Sequence, residues 1–266
     1  PVLKAFHYET EADVRANSAA AEMIISSGGF DFPARVAQKC SAALAKYGDA
    51  AVPRTVLDVG CAVGRSTFEL SKAFDEVTGV DFSHAFVGAA KHLQGAGGLP
   101  YSMQLEGGIF TQHVAKVPAD ANPSRCKFEQ GDACALRNDL GPFGCVLAAN
   151  LICRLPDPRA FIDQTAALVV PGGVLVLATP WTWLEEYTPK EKWLGGWVNA
   201  DGTTVRSQDT LAALLTARGF TLVEEVEMPF IIRETFRKNQ FTSSALTIWK
   251  STSASAATAS SRAAAG

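Results

Sequence analysis

Short β-branched and aliphatic runs alternate along this chain with longer amphipathic stretches, the rhythm of a parallel sheet covered by helices. Strands are expected at residues 55–60, 76–81 and 127–130. Residues 145–149 and 174–178 are apolar at every position, as strands buried on both faces should be. Residues 221–228 and 245–250 follow as two further strands that would form an antiparallel edge. Helices are expected at 65–74, 83–93, 158–168 after a cap at Asp157, and 207–218 ending at Gly219. The Pro-, Gly- and polar-rich stretch 95–125 breaks this rhythm between the second and third strands and reads as an insertion without an assigned structure. Residues 251–266 are Ser, Ala and Thr with one Arg and a final Gly, too little apolar surface to offset chain entropy, so a disordered tail is expected there. Residues 1–250 are left as one domain, its first 50 residues an N-terminal helical or lid segment.

Composition narrows the partner. With 47% hydrophobic and 9% aromatic residues, 266 residues can fill one large α/β core. The 24 basic and 27 acidic residues are spread evenly for a net charge of -3, which gives no footprint for nucleic acid or an anionic membrane. A small-molecule substrate is expected. No apolar run reaches the roughly 18 residues of a membrane span, and the start, Pro1 to Tyr8, lacks the regions of a signal peptide, so the expected location is cytoplasmic. Six cysteines without a Cys-x-x-Cys pair and four dispersed histidines predict reduced thiols and no metal site.

The richest stretch is Val56-Leu57-Asp58-Val59-Gly60-Cys61-Ala62-Val63-Gly64-Arg65, a buried strand, a small-residue turn and a helix start, where backbone would approach a ligand closely. Gly60 and Gly64 are four apart, whereas a dinucleotide fingerprint sets its last glycine five after its first. Asp58 would repel a pyrophosphate and suits an ammonium. Asp81 ends the second strand 21 residues beyond Gly60, where a carboxylate can accept from both ribose hydroxyls. Asp132, in Gly131-Asp132-Ala133 after the third strand, can accept from an exocyclic amine, and Asn150 stands on the rim after the fourth. Taken singly, the glycines could mark an ordinary turn and Asp132 a cap. Together they describe a nucleoside site.

The segment Asp58 to Gly64 with Asp81 resembles the first two motifs of class I S-adenosylmethionine methyltransferases. That resemblance implies a Rossmann-like seven-stranded, mostly parallel sheet with an antiparallel last strand and helices on both faces. It also implies that Asp58, Gly60, Cys61, Ala62, Gly64, Asp81, Phe82, Gly131, Asp132, Ala133 and Asn150 hold S-adenosylmethionine, released as S-adenosylhomocysteine, with no metal.

Longer strings are more specific. Asp58 to Ser66, Ala148-Ala149-Asn150-Leu151-Ile152-Cys153-Arg154-Leu155, Trp183 to Gly196, Pro229 to Thr235 and Arg237-Lys238 are similar to the methyltransferase domain of ovothiol synthase, the 4-mercaptohistidine N1-methyltransferase family, over residues 55–250. The implied acceptor is 5-thiohistidine, methylated on its imidazole to ovothiol A. In that family the domain is commonly fused behind an iron-dependent sulfoxide synthase; no such domain lies in this sequence, which fits a stand-alone enzyme or an excised domain. Tyr8-Glu9-Thr10 fits the family, whereas residues 11–47 are hard to align.

Such an acceptor needs partners for a carboxylate, a thiolate and a ring. Lys190, Lys192 and Arg233 suit the anions, Arg154 and Trp183 belong to the matching strings, Asn150 can contact the imidazole, and Tyr187 can bond the other ring nitrogen or help carry its proton away. Each also has a plain structural reading: tryptophans as apolar cover, Lys190 and Lys192 as a charged face beside Glu185, Glu186 and Glu191, Arg233 paired with Glu234, and Cys61 and Cys153 as small packing residues. Two other functions stay open, a methyltransferase for another small amine, acid or thiol, and a non-catalytic cofactor-binding subunit.

Overall fold

The computed structural model describes residues 10–137 and 139–252. In chain order the main elements are α1 (Glu11–Asn17), α2 (Ala21–Ser27), α3 (Phe32–Tyr47), β1 (Thr55–Val59), α4 (Arg65–Leu70), β2 (Glu76–Asp81), α5 (His84–Ala96), β3 (Gly98–Glu106), β4 (Ile109–Lys116), β5 (Cys126–Gln130), β6 (Phe143–Ala149), α6 (Pro158–Leu168), β7 (Val169–Thr179), β8 (Trp197–Val198), β9 (Thr204–Val205), α7 (Ser207–Thr216), β10 (Phe220–Arg233) and β11 (Asn239–Ser251).

Alternation along the central strands builds two cores. Val56, Cys145, Leu147, Val174 and Val176 face α3, α4 and α5, while Leu57, Val59, Val146, Ala148, Leu175 and Leu177 face α6 and α7. Because side chains alternate across a sheet, strands this apolar on both faces can only lie between two helical layers. The resulting seven-stranded sheet has the order β10-β11-β7-β6-β1-β2-β5. Strands β5, β2, β1, β6 and β7 are parallel, and β11 runs antiparallel to both β7 and β10. The expected sheet of seven strands is therefore present, with the last strand reversed.

The antiparallel pair forms the expected edge and differs from expectation in length. β11 lies inside the sheet, between β10 and β7, so only β10 forms that margin. Beyond the pairing of Ala245 with Thr179, the two strands continue together to Arg233 and Asn239 as a ribbon above the sheet. Phe230 packs on Phe32 with ring centroids 5.0 Å apart, and Ile231 is buried with Val14 and Ile24, so the ribbon anchors the N-terminal helices. Along the β10 margin stand Glu224, Glu225 and Glu227, and Glu224 also receives Lys39 at 2.8 Å and the Tyr47 hydroxyl at 2.9 Å.

The insertion left without an assigned structure contains a β-hairpin, β3 and β4, turning at Gly107-Gly108 and pairing Tyr101 with His113. Met103 is buried on its inner side, while Phe110 and Val114 are 54% exposed on the outer one. At the C-terminus, Ser251 belongs to β11 and is buried, and the Thr252 N–H donates to the Gly219 carbonyl, so the tail cannot begin at 251. Residues 253–266, like Tyr8 and Glu9, lie outside the described residues.

Candidate active site

The turn after β1 is held from below. Gly60 and Cys61 donate their N–H groups to the Val80 carbonyl at 2.8 and 3.1 Å, tying β1 to the end of β2. Gly60, Ala62 and Gly64 have φ of 77°, 48° and 89°, left-handed conformations that favour glycine and make a concave run of backbone. A Cβ at Gly60 would meet Leu151 at 2.9 Å, and one at Gly64 would meet Phe128 at 2.7 Å. The glycines therefore answer to backbone shape and to packing by Leu151 and Phe128.

Asp81, at the end of β2, has its carboxylate aligned by two backbone donors, Ala62 N–H to Oδ2 and Ser83 N–H to Oδ1, each at 2.9 Å. One bond per oxygen leaves acceptor capacity on both, at the carboxyl edge where open α/β sheets bind ligands. Phe82 beside it is 72% exposed, an apolar ring beside the turn. Asp132 takes the Cys134 N–H at 2.8 Å, the plain turn reading of that residue, with Gly131 half-buried and Ala133 buried at its sides.

Asp58 does not reach the cleft. It shares its face of β1 with Val56, is 2% exposed, and accepts the Thr67 hydroxyl at 2.8 Å beneath α4. Strand parity turns it inward, so the expected contact with an ammonium gives way to a structural bond. Burial pushes its carboxyl up to about 7, opposed by the Thr67 hydrogen bond and helped by the charge of Asp81. Cys61 is buried and its thiol is pushed up by the same burial, which fits a packing role.

Asn150, at the end of β6, sits at φ 55° with its N–H on the Ala178 carbonyl at 2.7 Å. Its Oδ1 accepts the Ser244 hydroxyl at 2.6 Å, which leaves the amide nitrogen to offer a ligand. Arg154 binds the Thr182 carbonyl at 2.6 Å and its hydroxyl at 3.0 Å, and lies 5.1 Å from the ring centre of Tyr187, which is 44% exposed. It thus clamps the loops after β6 and β7 together. Those loops carry an aromatic row: Trp183 lies 6.4 Å from Trp181 and 6.2 Å from Trp193, the latter pair stacked. Trp183 and Trp193 spend their indole N–H groups on Ser207 and the Thr188 carbonyl, at 2.8 and 2.9 Å. The Trp181 indole N–H is buried with no hydrogen-bond partner, which costs on the order of 1–3 kcal/mol.

The three expected anion-binding cations stand apart from one another. Lys192 forms an ion pair with Asp157 at 2.9 Å, and that carboxylate also caps α6 through Arg159 and Ala160; the pairing holds Asp157 below the usual carboxylate range. Lys190 lies 5.9 Å from the ring centre of Trp193. Arg233 is 3% exposed at the end of β10, facing Asp13 at 3.7 Å and the Tyr101 hydroxyl at 3.5 Å, not the expected Glu234, which pairs with Lys238. It joins α1, the hairpin and the ribbon. Tyr101, Ser244, Thr182 and Arg206 were missed, and Trp181 was read chiefly as apolar cover; of the missed ones only Tyr101 left a signal, the Gly107-Gly108 turn between two alternating runs.

Asp81, the concave turn and the exposed Phe82 fit a nucleoside with a planar base. The methyltransferase-domain family matches residues 32–225 of the chain. A ubiquinone biosynthesis O-methyltransferase of Coxiella burnetii is 29% identical over 124 residues, 47% of this chain and 42% of that protein. Ajmaline N-methyltransferase of Rauvolfia serpentina is 26% identical over 126 residues, 47% of this chain and 35% of that protein. The matched part is less than half the length of these relatives. A solved SAM-dependent methyltransferase of Methanosarcina mazei superposes with a TM-score of 0.51 at 17% identity, covering 79% of this chain and 97% of that one. YcgJ of Bacillus subtilis superposes at 0.50 with 13% identity, covering 80% and 98%. At such identities the likeness is one of fold.

Proposed function

The chain belongs to the methyltransferase-domain family, and from that premise we propose that it methylates the imidazole ring of 5-thiohistidine, forming ovothiol A. It is an S-adenosylmethionine-dependent methyltransferase. The observation that carries the cofactor half is Asp81, whose two carboxylate oxygens are aimed by the Ala62 and Ser83 N–H groups at the sheet edge. The acceptor half is supported by the strings around Asn150 and from Trp183 to Gly196, which resemble the 4-mercaptohistidine N1-methyltransferases.

S-adenosylmethionine supplies a methyl group on a sulfonium, and its transfer to a ring nitrogen leaves S-adenosylhomocysteine and one proton to be released. Asp81 would hold the ribose hydroxyls, Phe82 would cover the base and Asp132 would accept from its amine. Asn150, fixed by Ser244, offers an amide N–H to the acceptor. Tyr187, exposed beside Arg154, would bond the other ring nitrogen or help carry its proton to solvent. A neutral imidazole nitrogen already has an in-plane lone pair, so positioning, not a strong base, supplies most of the acceleration, several kcal/mol by effective concentration. An iron-dependent sulfoxide synthase would provide the thiolated acceptor.

Incubation of the purified chain with S-adenosylmethionine and 5-thiohistidine should give a product about 14 mass units heavier than the acceptor by mass spectrometry, the mass of one added methylene. Absence of that product, with methylation of another amine, acid or thiol in a panel, replaces the acceptor and keeps the enzyme class. The O- and N-methyltransferases among the relatives are the reason for such a panel.

A further inference from the structure

Beside the aromatic row lies a hollow of about 450 Å³, lined by Trp181, Trp183, Trp197, Arg206, Ser207 and Gln208. We propose that this hollow recognises the acceptor, and that it takes a planar heteroaromatic ring carrying a carboxylate. The proposal rests on the methyl-transfer reading above and names residues and a ligand chemistry for it.

Four observations converge. The volume suits an amino-acid-sized ligand, and aromatic walls with a few polar groups are what orient a flat ring. Trp181 is held at φ 53°, a left-handed conformation rare for a bulky residue, and its indole N–H has no hydrogen-bond partner. Strain and an unsatisfied donor in one residue at a sheet edge mark a functional position. Trp183 is fixed by its bond to Ser207 and its stack on Trp193, so that wall is rigid, whereas Trp197 is 39% exposed on the β8–β9 ladder. Arg206 forms no ion pair among the described residues and also lines a second hollow of about 470 Å³ with Arg159 and Asp209. Arg206 is the one charged residue lining the proposed hollow, a guanidinium that favours an anion there.

A chain of contacts runs from the hollow to Asn150. Thr182, between Trp181 and Trp183, holds Arg154 of the loop that begins at Asn150, and Asn150 itself bonds the last turn of β7 through Ala178. A ring held by the tryptophans would therefore lie along the edge from Asn150, its carboxylate toward Arg206.

Calorimetry on the full chain tests this, with S-adenosylhomocysteine first and then imidazole-4-acetate or uncharged imidazole added to the loaded protein. Imidazole-4-acetate should bind and imidazole should bind more weakly. Arg206→Gln and Trp197→Ala should each weaken imidazole-4-acetate on the order of tenfold. Trp181→Phe, which keeps the ring and deletes the donor, should weaken it about threefold. In all three variants the S-adenosylhomocysteine dissociation constant should stay within about twofold of wild type, which also reports a folded protein. If S-adenosylhomocysteine binds and imidazole-4-acetate does not, or binds equally well to Arg206→Gln and Trp197→Ala, the subsite is overturned and the enzyme class stands. If S-adenosylhomocysteine itself does not bind, the methyl-transfer reading falls and takes the subsite with it.

Discussion

Two aspartates at neighbouring strand ends behave as opposites, and each can be tested alone. Asp81 reaches the edge with both oxygens aligned by backbone donors, so Asp81→Ala should raise the dissociation constant of S-adenosylhomocysteine at least tenfold by calorimetry, about 1.4 kcal/mol or more. Unchanged affinity in a folded variant would remove the ribose contact. Asp58 is buried with its carboxyl pushed up to about 7, above its usual 3.8. The folded state therefore keeps a proton that the unfolded chain releases, and this residue's contribution falls as pH rises from about 4 through 7. Asp58→Asn copies the protonated form and its bond from Thr67. Its advantage over wild type in urea unfolding should be near zero at pH 4 and grow toward a ceiling on the order of 4 kcal/mol by pH 8. An advantage that does not vary with pH would contradict the burial argument. The sequence placed both aspartates beside the turn but not their directions, because one residue of strand parity separates a core carboxylate from a cleft carboxylate.

Among the elements, those with a strong internal pattern were legible and those with contacts far along the chain were not. The bounds expected for β2 and α6 are the observed ones, Glu76–Asp81 and Pro158–Leu168. Runs of buried β-branched residues, and a Pro just after an Asp cap, leave few alternatives. The β3–β4 hairpin escaped because its outer positions are polar or exposed and its inner ones are only half-buried, so its two-residue period is faint. The ribbon beyond Met228 escaped because its partners, Phe32 and the α1–α2 segment, are some two hundred residues away in sequence, a separation no local pattern can report. Asp157 shows how an element boundary and a supposed ligand group can coincide: it caps α6 and holds Lys192. Asp157→Ala should lower stability by about 1 kcal/mol through the lost cap, whereas Lys192→Ala should change the unfolding midpoint little. A large loss of activity in Lys192→Ala with cofactor binding intact would return that lysine to the acceptor site.

At the scale of the whole molecule, the seven-stranded, mostly parallel sheet with a reversed last strand was implied by the first motifs, while its strand order and the hairpin that Arg233 joins to α1 were not. Because the two helical layers close on one continuous sheet, a ligand at its edge should stabilise the entire unit. S-adenosylhomocysteine at a hundred times its dissociation constant should raise the melting temperature by roughly 5–10 °C, and the Asp81→Ala variant at the same concentration should show a clearly smaller rise. The β10 margin bears on another property. Over residues 220–228 its outward backbone groups meet no further strand among the described residues, which invites a second copy to zip on. Glu225 and Glu227 stand exposed along that margin, so two such margins repel each other at neutral pH. Replacing both with valine should leave a folded monomer that clouds on concentration, as light scattering would report.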